Sequence, residues 1–321
     1  MISLNFEIEI IIWLQSFRNG FLDALFQFFT MFGEEFIIVG VLGIIYWCYD
    51  KKMGEEIGIT VFVSLFLNSL IKTIVRRYRP YLVDSQIENV RPKTSGGYSF
   101  PSGHTQGAAS VFGSLAIWIK KRWLWIVSVV IIILVGISRM YLGVHFLSDV
   151  LVGGLLGIGI SWLGYRYFST HDNHEKIYRY LVIGIAVFGI IFYLFTLFTI
   201  ESTSTLTNAR NLVDKLEASF KMIGTVIGFV LGVSYEKKQV QFENHKVIWK
   251  NLIRVVLGVA IVMAIRLGLK PIFGLIVNPD ELEEGELFLA SLALMFDFIR
   301  YFLMVFVGIG LYPIIFKKIN I

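Results

Sequence analysis

The chain has 321 residues, 56% of them hydrophobic and only 17% charged, where a soluble domain carries about 45–50% apolar and about 25% charged residues. A mean hydropathy of +0.70 spread along the whole length excludes a soluble enzyme and a disordered chain. The formal charge of +5 fits cytoplasmic loops of a membrane protein rather than a nucleic-acid partner, and the single cysteine, Cys48, excludes an intramolecular disulfide.

No cleavable signal peptide is expected, because Glu7 and Glu9 stand where one would carry lysine or arginine. Residues 4–17 mix apolar and polar positions and read as an interfacial helix or a short strand-like lead-in. A membrane-spanning helix needs about 20 apolar residues, and nine segments qualify. The first, 22–48, is interrupted by Glu34 and Glu35, so a helix break or re-entrant turn is expected at Gly33. The next four are 54–75, 103–119, 123–141 and 146–168. After the charged turn from His171 to Lys176 comes 177–200, and a polar stretch leads to 217–235. The last two are 249–277, with Pro271 set to kink it, and 287–316. The expected fold is an all-α polytopic helix bundle.

Alternate turns differ in charge. One set carries Lys51, Lys52, Lys120, Lys121, Arg122, Arg166, Lys176, Arg179, Lys237, Lys238, Lys246, Lys250, Lys317 and Lys318. The other carries Asp84, Glu88, the 201–217 segment and the acidic run Asp280, Glu281, Glu283, Glu284 and Glu286. Basic turns stay cytoplasmic, which puts the C-terminus inside and the N-terminus outside. Loop 76–101 breaks the rule with Arg76, Arg77, Arg79, Arg91 and Lys93 on the outer face, and these need a local reason.

Three short motifs fall on that same outer face: Lys72-x6-Arg79-Pro80, Pro101-Ser102-Gly103-His104, and Ser138-Arg139-x5-His145-x3-Asp149. Taken singly, each cation reads as a snorkelling side chain. Together, Lys72, Arg79 and Arg139 would repel one another at one depth unless an anion joins them. A phosphate accepts charge-assisted bonds from all three. Ser102 and Gly103 open a helix, whose free N–H groups favour an anion. His145 and Asp149, four residues apart, share a helix face, so the carboxylate can hold one ring nitrogen and leave the other as a nucleophile. His104 comes from another helix and can act as general acid across the phosphate. The expected chemistry is in-line displacement through a phosphohistidine, with no metal and no cofactor.

These motifs resemble the three signatures of the type 2 phosphatidic acid phosphatase (PAP2) superfamily, which includes lipid phosphatases, glucose-6-phosphatase and vanadium haloperoxidases. All eleven motif positions agree. The resemblance implies His145 as nucleophile, His104 as acid and Asp149 as its orienting carboxylate. It also implies Lys72, Arg79, Ser102, Gly103 and Arg139 as phosphate ligands, with Pro80, Pro101 and Ser138 supporting them. It covers about residues 20–170, roughly half the chain. The expected organisation is therefore an interfacial segment 1–20, a catalytic core 21–170 and an extension 171–321 of unassigned role.

Other residues carry weaker expectations. Arg76 and Arg77 are expected to contact lipid headgroups. His171 and His174 form a His-x-x-His pair in a solvated turn, without a third metal ligand. Gly224, Gly228 and Gly232 form a small-residue stripe for close helix packing, within the chain or between two copies in a homodimer. Gly153, Gly154 and Gly157 read the same way. Arg266 and Asp297 lie at equal depth and are candidates for an intramembrane ion pair. The leading function is a lipid phosphatase acting at the outer leaflet of a bacterial-type cell membrane. Its candidate substrates are phosphatidic acid, phosphatidylglycerophosphate, a sphingoid-base phosphate or undecaprenyl diphosphate. The alternatives are a lipid phosphotransferase with the same intermediate, and a transporter or scramblase built on the later spans.

Overall fold

The computed structural model describes residues 3–92, 95–171, 174–202, 209–283 and 285–319. Lys93, Glu284 and part of the 201–217 stretch therefore lie outside the described residues. The helices are α1 (Leu4–Ser16), α2 (Gly20–Met31), α3 (Glu35–Ile44), α4 (Lys51–Val75), α5 (Pro80–Val83), α6 (Gly103–Ile119), α7 (Arg122–Tyr141) and α8 (Leu147–Phe168), then α9 (Glu175–Ser202), α10 (Ala209–Tyr235), α11 (Ile248–Gly274), α12 (Leu287–Phe306) and α13 (Pro313–Lys318). No strand occurs among the described residues. Among the described residues, seven helical stretches are long and apolar enough to cross a membrane, and the α2–α3 pair makes an eighth if taken as one bent span. The short ninth expectation is α6, whose 17 residues reach about 26 Å at 1.5 Å per residue.

Two compact units emerge: Met1–Leu42 with Met53–Asp172, and Gly43–Lys52 with Asn173–Ile321. In the first, the expected break in the opening span is present. α2 and α3 meet at 49°, and Gly33 sits so close to α6 that a Cβ there would come within 2.4 Å of the His104 carbonyl oxygen. The lead-in segment resolves as a helix, α1, capped by the Ser3 hydroxyl on the Phe6 N–H. α6 packs between α7 and α8, and glycines allow the approach. A Cβ at Gly153 would meet the Ser102 carbonyl oxygen at 2.7 Å, and one at Gly157 the Gln106 carbonyl oxygen at 2.6 Å. This close contact draws the opening turns of α6 and α8 together, which places His104 and His145 at one end of the unit. The reversal between α7 and α8 turns on Gly143, with φ +74° and no room for a Cβ beside the Glu88 carbonyl.

In the second unit, α10 lies against α12 along the Gly224, Gly228 and Gly232 stripe. Cβ atoms at the first two would strike the Phe298 and Phe302 carbonyl oxygens at 2.4 and 2.6 Å, and Gly232 abuts Ile309 and Gly310. The stripe therefore packs within the chain, the first of its two expected roles. Asp297 pairs with Arg300, three residues on along its own helix, and not with Arg266. A helical i,i+3 neighbour is reached without spanning two helices. Three five-residue π-helical turns, Ile45–Tyr49, Glu236–Val240 and Val307–Leu311, belong to this unit, and their freed backbone groups find side-chain partners. Trp47 Nε1 donates to the Gly308 carbonyl at 3.0 Å, and Asn244 Nδ2 to the Tyr46 carbonyl at 3.0 Å. The turn around His171 and His174 is not uniformly solvated: His171 stacks on Tyr167 with ring centroids 4.5 Å apart, while His174 is buried against Tyr178.

Candidate active site

α8 begins two residues after His145, and its first turn fixes the histidine. Asp149 Oδ2 accepts from the Phe146 backbone N–H at 2.9 Å, capping the helix. The same oxygen accepts from Ser99 Oγ at 2.5 Å and lies 3.4 Å from His145 Nδ1. Asp149 is fully buried and His145 nearly so. With Nδ1 turned to the carboxylate, Nε2 faces the other way, 3.4 Å from Arg79 Nη1. Burial and then the charges of Arg79, Lys72 and Arg139 push the His145 pKa down, so the free imidazole is held neutral.

The cations surround that nitrogen. Arg79, buried at the end of loop 76–79, donates through Nε to Gly97, through Nη2 to Gly96 and through Nη1 to Val144, all backbone carbonyls at 2.6–3.0 Å. Lys72, in the last turn of α4, donates to the carbonyls of Tyr98 at 2.7 Å and Ser99 at 3.2 Å. A guanidinium has five N–H donors and an ammonium three, so both keep donors for an anion. Arg139 is completely buried near the end of α7 and is held by one bond, from Nη1 to Thr30 Oγ1 of α2 at 2.9 Å. Its Nε and Nη2, together with His104 Nε2, are buried without hydrogen-bond partners. Buried polar atoms are nearly always satisfied in proteins. Two guanidinium nitrogens and an imidazole nitrogen are thus left open among neighbouring cations, and such groups can bond the oxygens of an anion such as phosphate.

The second motif supplies the floor. Ser102 N donates to the Asp149 carbonyl at 2.9 Å, tying α6 to α8. The Ser102 hydroxyl accepts from Thr105 N at 3.4 Å and so caps α6, while Pro101 follows a cis peptide bond. Gly103 is pressed on by Asn68, whose Nδ2 donates to the Pro101 carbonyl at 3.3 Å and to Gln106 Oε1 at 2.8 Å. Ser138 is buried and bonds the Val135 carbonyl within α7, and Pro80 opens α5. All eleven motif residues therefore occur in the first unit, and the chain brings the histidines, Asp149 and three cations to one end of it.

Sequence reasoning missed several contributors. Arg77 does not face lipid headgroups: Nη1 donates to Asp149 Oδ1 at 2.9 Å and Nη2 to Glu7 Oε2 at 2.6 Å. Arg91 is paired with Glu34 at the α2–α3 break. These partners give the basic loop its local reason. Thr30, Ser99, Asn68 and Gln106 carry no motif. Only the run Arg76-Arg77-x-Arg79, denser in charge than a membrane boundary needs, signalled that more than one arginine turns inward.

Residues 56–172 match the PAP2 superfamily, and residues 220–321 match the PAP2 superfamily phosphatase, transmembrane extension. An undecaprenyl-diphosphatase of Sulfolobus acidocaldarius is 28% identical over 170 residues, 52% of this chain and 81% of that one. Phosphatidylglycerophosphatase B of Bacillus subtilis is 32% identical over 153 residues, 44% of this chain and 69% of that one. The crystal structure of a transmembrane PAP2-type phosphatidylglycerolphosphate phosphatase from Bacillus subtilis aligns at 25% identity and a TM-score of 0.43, over 52% of this chain and 86% of that one. The family and sequence matches define an integral membrane phosphoric ester hydrolase. The chain belongs to the PAP2 superfamily, and its C-terminal part matches that superfamily's transmembrane extension.

Proposed function

We propose that the protein hydrolyses a lipid phosphate monoester or diphosphate through a phosphohistidine on His145, without a metal. The observation that carries this reading is the set of open buried donors on Arg139 and His104 beside an imidazole already oriented by Asp149. Asp149 accepts a hydrogen bond from Nδ1–H, which leaves the Nε2 lone pair free to attack phosphorus. As the N–P bond forms and the P–O bond to the lipid breaks, His104 gives its proton to the departing oxygen. Water then attacks phosphorus, the N–P bond breaks, and His104 takes the water proton back. Lys72, Arg79 and Arg139 neutralise the equatorial oxygens. A dianion in the chamber is also what lets His104 hold a proton among so many cations.

The lipid class follows from the setting: a headgroup phosphate reaching the end of a helix bundle, with the exposed Tyr98 at the edge of the Lys72 loop. The related enzymes named above act on an undecaprenyl diphosphate and a phosphatidylglycerophosphate, which are the first two substrates to test. The basic residues Lys120, Lys121, Arg122 and Arg166 stand at the opposite end of the same helices. That asymmetry supports an extracytoplasmic site. The test is phosphate release from a panel of lipid mono- and diphosphates by detergent-purified protein in EDTA, with His145→Ala in parallel. Release that persists in EDTA, is inhibited by vanadate and falls at least about a thousandfold in the variant is the expected result. Equal release by His145→Ala would remove the nucleophile assignment.

A further inference from the structure

Glu7 is only 2% exposed although it lies on α1, the helix whose sequence reads as a membrane-surface lead-in. Both of its oxygens are used. Oε2 accepts from Arg77 Nη2 at 2.6 Å, and Oε1 accepts from the backbone N–H of Ser148, in the first turn of α8, at 2.6 Å. Arg77 Nη1 then donates to Ser148 Oγ at 2.6 Å and Asp149 Oδ1 at 2.9 Å, with its guanidinium 3.9 Å over the Phe146 ring. The order of charges is Glu7, Arg77, Asp149, His145.

This order bears on how strongly Asp149 serves the imidazole. Arg77 and His145 compete for one carboxylate, and the arginine bond is the shorter, 2.9 Å against 3.4 Å. An unopposed guanidinium would hold the Asp149 charge on its own side. Glu7 opposes it from the far side and fixes the α8 turn that carries Asp149. We propose that Glu7 is a positioning residue for phosphoryl transfer, acting through Arg77 on Asp149 and His145; the inference rests on the reading of His145 as nucleophile. The charged and titratable groups facing this chain are Lys72 of α4, Arg77 and Arg79 of the following loop, His104 of α6 and Arg139 of α7. Against that excess of cations, Glu7 and Asp149 are the carboxylates in direct contact with Arg77.

Two substitutions with opposite charge effects test it. Glu7→Gln keeps the shape and leaves Arg77 unopposed, so the potential at His145 becomes more positive and its protonation in the substrate complex shifts to lower pH. Arg77→Gln removes a cation and shifts it to higher pH. The acid limb of kcat against pH should move down by about half a unit in the first and up by about half a unit in the second. In Glu7→Gln, kcat at its optimum should fall about tenfold with KM little changed. Gln15→Ala is the control for docking of α1 alone, since Gln15 anchors that helix to the Glu88 and Tyr141 carbonyls without touching the charges; its limb should not move. Orthovanadate affinity over the same pH range gives a readout without turnover, and its pH midpoint should move with the same signs. Limbs that stay fixed, move in one direction in both variants, or move equally in Gln15→Ala would overturn the proposal. Phosphate release surviving in His145→Ala would instead overturn the nucleophile reading, and the vanadate midpoints would still decide the role of Glu7.

Discussion

The two units of the chain hold some of their charges differently. In the second, two carboxylates each meet a cation. Glu236 is wholly buried and accepts from Lys51 Nζ at 3.0 Å and from the Phe242 N–H at 2.9 Å, and Asp297 is joined to Arg300. Arg254 donates to the Trp47 and Glu243 carbonyls and lies 4.3 Å over the Phe316 ring. In the first unit, Arg139 is as deeply buried but has one hydroxyl for a partner, and Lys72 and Arg79 rest on carbonyls with donors to spare. Paired buried charges hold a fold in one arrangement. Converging, under-satisfied charges of one sign are what the proposed phosphate site requires.

Substitutions can sharpen or break that contrast. The largest effect is expected at Arg139. Arg139→Met should lower kcat/KM for phosphate release by about 100- to 1,000-fold, yet raise the thermal midpoint in phosphate-free buffer, because a buried cation without a counter-charge is removed. A drop in both would mean that Arg139 is a structural clasp like those of the second unit. Glu236→Gln should do the reverse, destabilising by about 2 kcal/mol through the unpaired Lys51 and the weakened bond to Phe242, with kcat changed less than about threefold. Gly228→Ala, whose methyl would press on the Phe302 backbone, should cost about 1–2 kcal/mol and likewise spare kcat. Thermal denaturation followed beside phosphate release reads all three.

Much of the site was legible because its residues sit in short motifs at the ends of apolar spans. Polar residues beside a spanning segment stand out, and helix spacing alone puts Asp149 on the face of His145. The break at Gly33 was legible for the same reason, as two glutamates interrupting an apolar run. The rest was hidden by distance along the chain. Glu7 lies 70 residues before Arg77, and Thr30 lies 109 before Arg139. Nothing local to either residue distinguishes it from a surface position on an amphipathic helix. Equal depth suggested Arg266 as partner for Asp297, but depth does not fix which helix faces are turned together, and a neighbour on the same helix took the place. The Gly224, Gly228 and Gly232 stripe announced close packing correctly, while its partner, α12, could be known only from the folded chain.

The central claim is that His145 carries the phosphoryl group, and the most direct measurement is to catch it there. Protein mixed with a lipid phosphate for less than one turnover, quenched in alkali to preserve a phosphorus–nitrogen bond and digested for mass spectrometry, should show phosphate on the peptide containing His145. The signal should be absent in His145→Ala and should accumulate in His104→Ala when the substrate has a leaving group that needs no proton. Phosphate release at the wild-type rate with no phosphorylated histidine, or with the label on His104, would contradict the account.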